Sequence, residues 1–135
     1  MIHLDPIGRV RSTLTRREHA PKQGHEGAPE AWLVFEPRVV PALANVKRGD
    51  DLLVLTWLHE ADRDTLQVHP RDDPRAPLTG VFSTRSQDRP NPIGVHRVRV
   101  LEIVAPTELK VADLEAFDGT PVLDVKAVID RIAER

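Results

Sequence analysis

The chain has 135 residues, 40% of them hydrophobic, 30% charged and 4% aromatic, with twelve prolines and no cysteine. That length suits one domain with an ordinary core, and the missing cysteines exclude disulfides, thiolate metal sites, iron–sulfur clusters and a thiol nucleophile. Nineteen basic and 21 acidic residues leave a formal net charge of −2, so any nucleic-acid contact has to come from a local patch.

No apolar run approaches the roughly 18–20 residues of a membrane span, so no membrane partner is expected. The N-terminus, Met1-Ile2-His3-Leu4-Asp5-Pro6, lacks the basic head and apolar stretch of a signal peptide. A cytoplasmic placement follows as the default expectation. The prolines are spread from Pro6 to Pro121. Each one blocks a helix interior or a central strand, so what remains reads as short strands between rigid turns.

Taken in chain order, Ile7 to Ser12 alternates as a short strand. Leu14 to Glu30 is polar and carries Pro21, Gly24, Gly27 and Pro29, which makes it a loop longer than most. Ala31 to Phe35 is a second strand. Pro37 to Val46 has room for a short helix with Val40, Leu43 and Ala44 on one side, limited to about two turns by Pro41. Asp51 to His59 contains the run Leu52-Leu53-Val54-Leu55-Thr56-Trp57-Leu58 and reads as a strand buried on both faces. Leu66 to His69 is another short strand, and a loop rich in Arg, Asp and Pro follows from Pro70 to Pro77. Gly80 to Thr84 opens the next ordered piece. Ile93 to Val104 is the longest strand, with Val98 and Val100 facing inward. Leu109 to Val111 and Val122 to Val125 complete the strands, and a terminal helix is predicted after Lys126, with Val128, Ile129 and Ile132 on one face. The spacing predicts a mainly β domain, 1–135, barrel-like or a curled sheet, with short helices.

Dinucleotide-binding glycine turns, phosphate loops, His-Glu-x-x-His and Gly-x-Ser-x-Gly patterns are all absent. His59, Glu60, Asp62, Asp64 and His69 could bring nitrogen and oxygen ligands together, but the two histidines are ten positions apart and lack the spacing of a local chelate. They read better as solvated or turn-capping groups, and no metal is assigned. The most specific stretch is Gly80-Val81-Phe82-Ser83-Thr84-Arg85-Ser86-Gln87-Asp88-Arg89-Pro90-Asn91-Pro92-Ile93-Gly94-Val95. Arg89 and Asn91 each precede a proline and are held extended. The loop thus presents preorganised donors suited to a carboxylate or a phosphate, unless it is simply a well-made turn with solvated arginines. A second stretch, Asp118-Gly119-Thr120-Pro121-Val122-Leu123-Asp124-Val125-Lys126, opens with a strong turn signal, read as a hairpin connection. It puts Asp124 and Lys126 on one strand face with Val122, where the two charges can pair.

Together with Pro6-Ile7-Gly8-Arg9-Val10 and the element Pro21-Lys22-Gln23, these two stretches resemble the TsaA-like (TrmO-like) family of S-adenosylmethionine-dependent tRNA methyltransferases across essentially the whole chain. The resemblance implies a single-sheeted β-barrel acting as a homodimer, with S-adenosylmethionine as cofactor. It also implies N6-methylation of threonylcarbamoyl-adenosine beside the tRNA anticodon. Carried over by position, the family's cofactor contacts fall on Pro21, Lys22, Gln23, His59, Glu60, Arg85 and Val95, and on Glu115, Ala116, Phe117 and Asp118. Many of these would be backbone contacts. Arg89, Asn91, Asp124 and Lys126 are the candidates for orienting the weakly nucleophilic acceptor nitrogen.

The chain departs from the family in two places. Asp-Ile-Lys-Pro-Tyr becomes Asp124-Val125-Lys126-Ala127-Val128 in a sequence with no tyrosine, and the chain ends at Arg135 where longer members add a C-terminal domain. Two alternatives stand beside tRNA: a small-molecule acceptor using the same cofactor, favoured by the short chain and acidic balance, and a binding module without turnover, consistent with the lost Lys-Pro-Tyr ending.

Overall fold

The computed structural model describes residues 1–14 and 30–129. Its strands are β1 (Gly8–Arg11), β2 (Ala31–Phe35), β3 (Asp51–Trp57), β4 (Gln67–Val68), β5 (Thr79–Gly80), β6 (Ile93–Ala105), β7 (Glu108–Ala112) and β8 (Pro121–Ala127). Six of them close into a barrel in the order β1-β2-β7-β6-β3-β8, with β8 returning to β1, and β4 and β5 form a separate two-stranded sheet. Every pairing is antiparallel. The mainly β, barrel-like architecture read from the strand spacing is therefore the one observed.

Period-two burial fills the barrel. Val10, Leu33, Leu52, Val54, Val98, Val100, Val111 and Val122 point inward and are essentially inaccessible. Polar partners alternate with them on the outer wall, as the pleat requires. One row of that wall sets Arg11, Trp32 and Lys110 side by side across β1, β2 and β7. Both cations lie over the indole, 5.0 and 5.9 Å from its centroid, a contribution of about 0.5–1 kcal/mol at such exposed positions. On another row Asp51 takes hydrogen bonds from Arg97 and Arg99, each at 3.0 Å. The Arg99 bond first, then the Arg97 bond, holds the Asp51 carboxyl below its ordinary range.

Four expectations change. Asp51–Trp57 is buried on one face only: Leu52, Val54 and Thr56 are inside, while Leu53, Leu55 and Trp57 are half-exposed on the wall. Pro37–Leu43 winds as a 3-10 helix, because Pro41 within it has no N–H to donate to an α-helical ladder. The Asp118-Gly119 turn does not make a hairpin, since β7 and β8 are not neighbours in the barrel. Finally, the β3–β8 register shifts at Leu55/Thr56, where Thr56 pairs with Val122 and Leu55 with Asp124. Leu123 is thus an extra residue in a bulge. Val122 consequently faces the core, and Asp124 and Lys126 face out. Strand β8 runs on through Ala127. Val128 and Ile129 have no regular structure, and the rest of the predicted terminal helix lies outside the described residues.

Candidate functional site

Antiparallel pairing brings one set of loops to one end of the barrel. Trp57 at the close of β3 pairs with Ile93 at the start of β6, and Thr56 pairs with Val122 near the start of β8. The segments 58–66, 81–92 and 113–120 therefore meet there, together with the close of β1. Leu58 N donates to Pro92 O (2.8 Å), Gly119 N to Val10 O (2.8 Å) and Asp118 N to Leu14 O (2.7 Å).

Segment 113–120 folds across this end. Leu114 and Ala116 turn inward at 0% and 2% exposure and complete the core, so Ala116 presents almost no surface, backbone included. Asp118 Oδ1 accepts from Ser12 N (3.0 Å), and the Thr120 hydroxyl donates to Phe117 O (2.7 Å). His59 and Glu60 occupy the centre of an exposed turn closed by Ala61 N donating to Leu58 O (3.0 Å).

The arginine–proline loop is built from short polar turns. The Thr84 hydroxyl donates to Val81 O, Ser86 N to Thr84 Oγ1 and Asp88 N to Ser86 Oγ. Arg89 Nη2 donates to the carbonyls of Val81 and Thr84, which ties the two ends of that loop together. Asn91 Oδ1 accepts from Arg63 Nη2 (3.0 Å). Arg85, by contrast, is exposed and makes no hydrogen bond or ion pair with another described residue.

The predicted positions thus fall into three groups. His59, Glu60, Arg85, Arg89, Asn91 and Glu115 to Asp118 gather at the loop end of the barrel. Val95, Asp124 and Lys126 lie on the outer wall beside it, because Leu55 of β3 pairs with Val95 on one side and Asp124 on the other. Lys126 Nζ and Asp124 Oδ2 are 3.5 Å apart, both exposed, the weak surface pair their spacing predicts. Pro21, Lys22 and Gln23 lie outside the described residues. Open depressions of about 220 Å³, lined by Val40, Leu43, Val46, Ile103 and Leu109, and about 400 Å³, beside Val68, His69, Asp72 and Pro74, are lined by none of these positions.

Three features escaped the sequence reading. Arg63 stacks on Trp57, 5.1 Å from the ring centroid, while bonding the loop opposite. Asp62 and Asp88 join the same two loops. Inside the barrel mouth, Thr56 Oγ1 and His96 Nε2 hydrogen-bond at 2.8 Å, both buried, and His96 Nδ1 has no partner among the described residues. Burial, aided by the charge of Arg85, pushes the His96 imidazole down to about 4. It is neutral at pH 7. Among the described residues no trio of His, Asp or Glu is placed to hold a metal ion, and no helix is long and apolar enough to cross a membrane.

The family profile described as the tRNA-methyltransferase O N-terminal domain matches residues 9–133. The chain belongs to that family. A "Probable S-adenosyl-L-methionine-binding protein" of Methanothermobacter thermautotrophicus is 38% identical over 131 residues, covering 97% of this chain and 93% of its own. An "S-adenosyl-L-methionine-binding protein" of Archaeoglobus fulgidus is 38% identical over 123 residues, covering 91% and 86%. Among solved structures, the chain is similar over its whole length to TrmO from Pseudomonas aeruginosa, with a TM-score of 0.75 and 30% identity. It spans 61% of that TrmO chain.

Proposed function

We propose that this TrmO-like domain binds S-adenosylmethionine at the loop end of its barrel and transfers the methyl group, by family resemblance to N6 of threonylcarbamoyl-adenosine in tRNA. The observation that carries the reading is Arg85, whose guanidinium has no described partner while Arg63, Arg89, Arg97 and Arg99 all have one. A guanidinium with no partner among the described residues fits a carboxylate, which it can bind through two parallel N–H donors. Half-buried Glu115 and Phe117, exposed Asp118 and the His59–Glu60 turn are the groups proposed to meet the polar edges of an adenosine, with buried Ala116 between them setting the path of the chain. Pro21, Lys22 and Gln23 belong to the same proposed contact set by resemblance.

When bound, the cofactor supplies an electrophilic methyl carbon on a sulfonium. The chain's own work is to bind and align, and alignment for an in-line displacement can supply much of the acceleration. Arg85 would hold the carboxylate. Arg89 and Asn91 would act on the acceptor through the extended Arg-Pro-Asn-Pro backbone they fix, and Asp124 and Lys126 directly, from the outer wall.

A second copy of the chain is the proposed partner. On the wall formed by β6, β3 and β8, Ile93 and Val95 are 38% and 41% exposed beside half-buried Trp57 and Leu55, an apolar strip with charges at its margins. Exposed strips of this kind mark contact surfaces. Ile93→Asp is expected to turn a dimer into a monomer by sedimentation velocity, and a wild-type monomer refutes the assignment.

Calorimetric titration with S-adenosylmethionine tests the binding step, and the absence of heat at high micromolar cofactor overturns it. Arg85→Ala is expected to weaken that binding about 10- to 100-fold, the cost of hydrogen bonds to a charged group, with an unchanged circular dichroism spectrum. Labelled cofactor with tRNA from cells that do or do not make threonylcarbamoyl-adenosine tests the transfer, and label confined to the modified tRNA is the expected result. Label on neither favours the second reading, a binding module or a small-molecule methyltransferase. That reading draws on the archaeal relatives, which are named only as binding proteins, and on the chain's span of about 60% of the TrmO structures.

A further inference from the structure

The two loops with the predicted cofactor contacts meet at the barrel edge through buried Pro92, whose carbonyl accepts from Leu58 N (2.8 Å), and beyond that point no buried side chain joins them. Asp62, Arg63, Asp64 and Asn91 are all exposed, so the junction between segments 58–64 and 84–92 is polar. Its hydrogen bonds run both ways. Asp62 N donates to Asp88 Oδ1 (2.9 Å), and Arg89 N donates to Asp62 O (3.0 Å). Arg63 then spans the gap with two donors of one guanidinium, Nε to Pro90 O (2.8 Å) and Nη2 to Asn91 Oδ1 (3.0 Å). Its flat face lies over Trp57, the last residue of β3. The acceptors suit this arrangement. Residues 89 and 91 precede prolines and are confined to extended geometry, which fixes where the Pro90 carbonyl and the Asn91 amide point.

We propose that Arg63 is a positioning residue for the cofactor site. It clamps the His59–Glu60 turn to the Arg85 loop, and Asn91 is its docking point rather than a group that touches the cofactor. Only a planar fork can bond two acceptors on adjacent residues and stack on an indole at once, and an ammonium has the charge without that geometry. Asp62 and Asp88 form the second tie of the same clamp. The functional consequence rests on the binding reading given above. The mechanical one does not.

Two measurements separate them. In amide hydrogen exchange, Arg63→Ala and Asn91→Ala are each expected to speed exchange in both segments, 58–64 and 84–92, while β3, β6 and β8 stay as protected as in the wild type. Faster exchange confined to the mutated segment, or no change, overturns the clamp whether or not any cofactor binds. In titrations with S-adenosylmethionine, Arg63→Ala is expected to weaken affinity about tenfold at an unchanged melting temperature. Arg63→Lys should not restore it, and the double variant with Asn91→Ala should be no weaker than Arg63→Ala alone. Full rescue by lysine would mean that Arg63 acts as a charge, and additive losses would mean two independent contacts; either result overturns the positioning role. A wild-type protein that binds no cofactor removes the binding reading and leaves the exchange experiment to decide the clamp.

Discussion

Gly8→Ala is expected to lower the unfolding free energy by about 3 kcal/mol, at the upper end of what overpacking a filled interior costs. A Cβ on Gly8 would lie 2.4 Å from Val34 O, 3.0 Å from Phe35 Cα and 3.2 Å from Val34 C, all backbone atoms of β2. A side chain could rotate aside, but a paired strand cannot. Strand β1 has four residues and pairs with β8 at Gly8–Val122 and Arg9–Pro121, flanked by hydrogen bonds from Ile7 N to Val122 O and Val10 N to Thr120 O, so pushing β2 away strains the seam where the barrel closes. In urea, with a slope of about 1–3 kcal/mol per molar for a small protein, the midpoint should fall by about 1–3 M. Gly80→Ala is the control, because nothing lies within 4 Å of its added carbon and the change should stay within about 0.5 kcal/mol. Equal midpoints for the two variants would refute the close-approach argument.

The strands were legible because proline and glycine mark their ends and period-two burial marks their faces. Two errors came from what a single strand cannot reveal. Leu52 to Leu58 is apolar but for Thr56, yet Leu55 and Trp57 face outward beside Val95 and Ile93, so the run serves the wall as well as the core. At β8, alternation placed Val122 with Asp124 until the bulge at Leu123 reversed the faces, and a bulge is set by the partner strand's register. The strand order was not legible at all. Closure depends on pairing Gly8 with Val122, ends of the chain that no local pattern connects.

The loop end was legible through motifs and only as a set of positions. Arg85, Arg89 and Asn91 look alike in sequence, as donors on one stiff loop, and only contacts distinguish them. Arg89 ties down Val81 and Thr84, Asn91 receives Arg63, and Arg85 has no hydrogen-bond or ion-pair partner among the described residues. Arg63 was invisible, since it sits in the ordinary surface run Ala61-Asp62-Arg63-Asp64 and its partners lie 27 and 28 residues further on. The usable signal was Trp57, an aromatic at a strand end with an arginine six positions later, too common a pattern to single out.

His96 makes the barrel mouth sensitive to acid. Its neighbour Gly94 is part of the reason, because a Cβ there would lie 2.5 Å from Thr56 Oγ1 and 2.8 Å from His96 Nε2, and the missing side chain leaves room for that hydrogen bond. Folding holds the imidazole neutral, with its titration moved from the ordinary 6.5 to about 4 by burial first and Arg85 second. Between those two values the unfolded chain binds a proton that the native state does not, so stability falls as pH drops below 6.5 and levels off below about 4. At pH 5 the expected loss relative to neutral pH is about 2 kcal/mol from this one group. The Asp51 carboxyl does not interfere, because its titration is lowered from 3.8 and its stabilisation is still present at pH 5. His96→Gln keeps an amide able to reach the Thr56 hydroxyl and removes the titration. Urea midpoints at pH 7 and pH 5 should therefore separate in the wild type and draw together in the variant. Parallel losses in the two proteins would place the acid sensitivity elsewhere, and His96 would then be a buried hydrogen-bonding group with no effect on pH dependence.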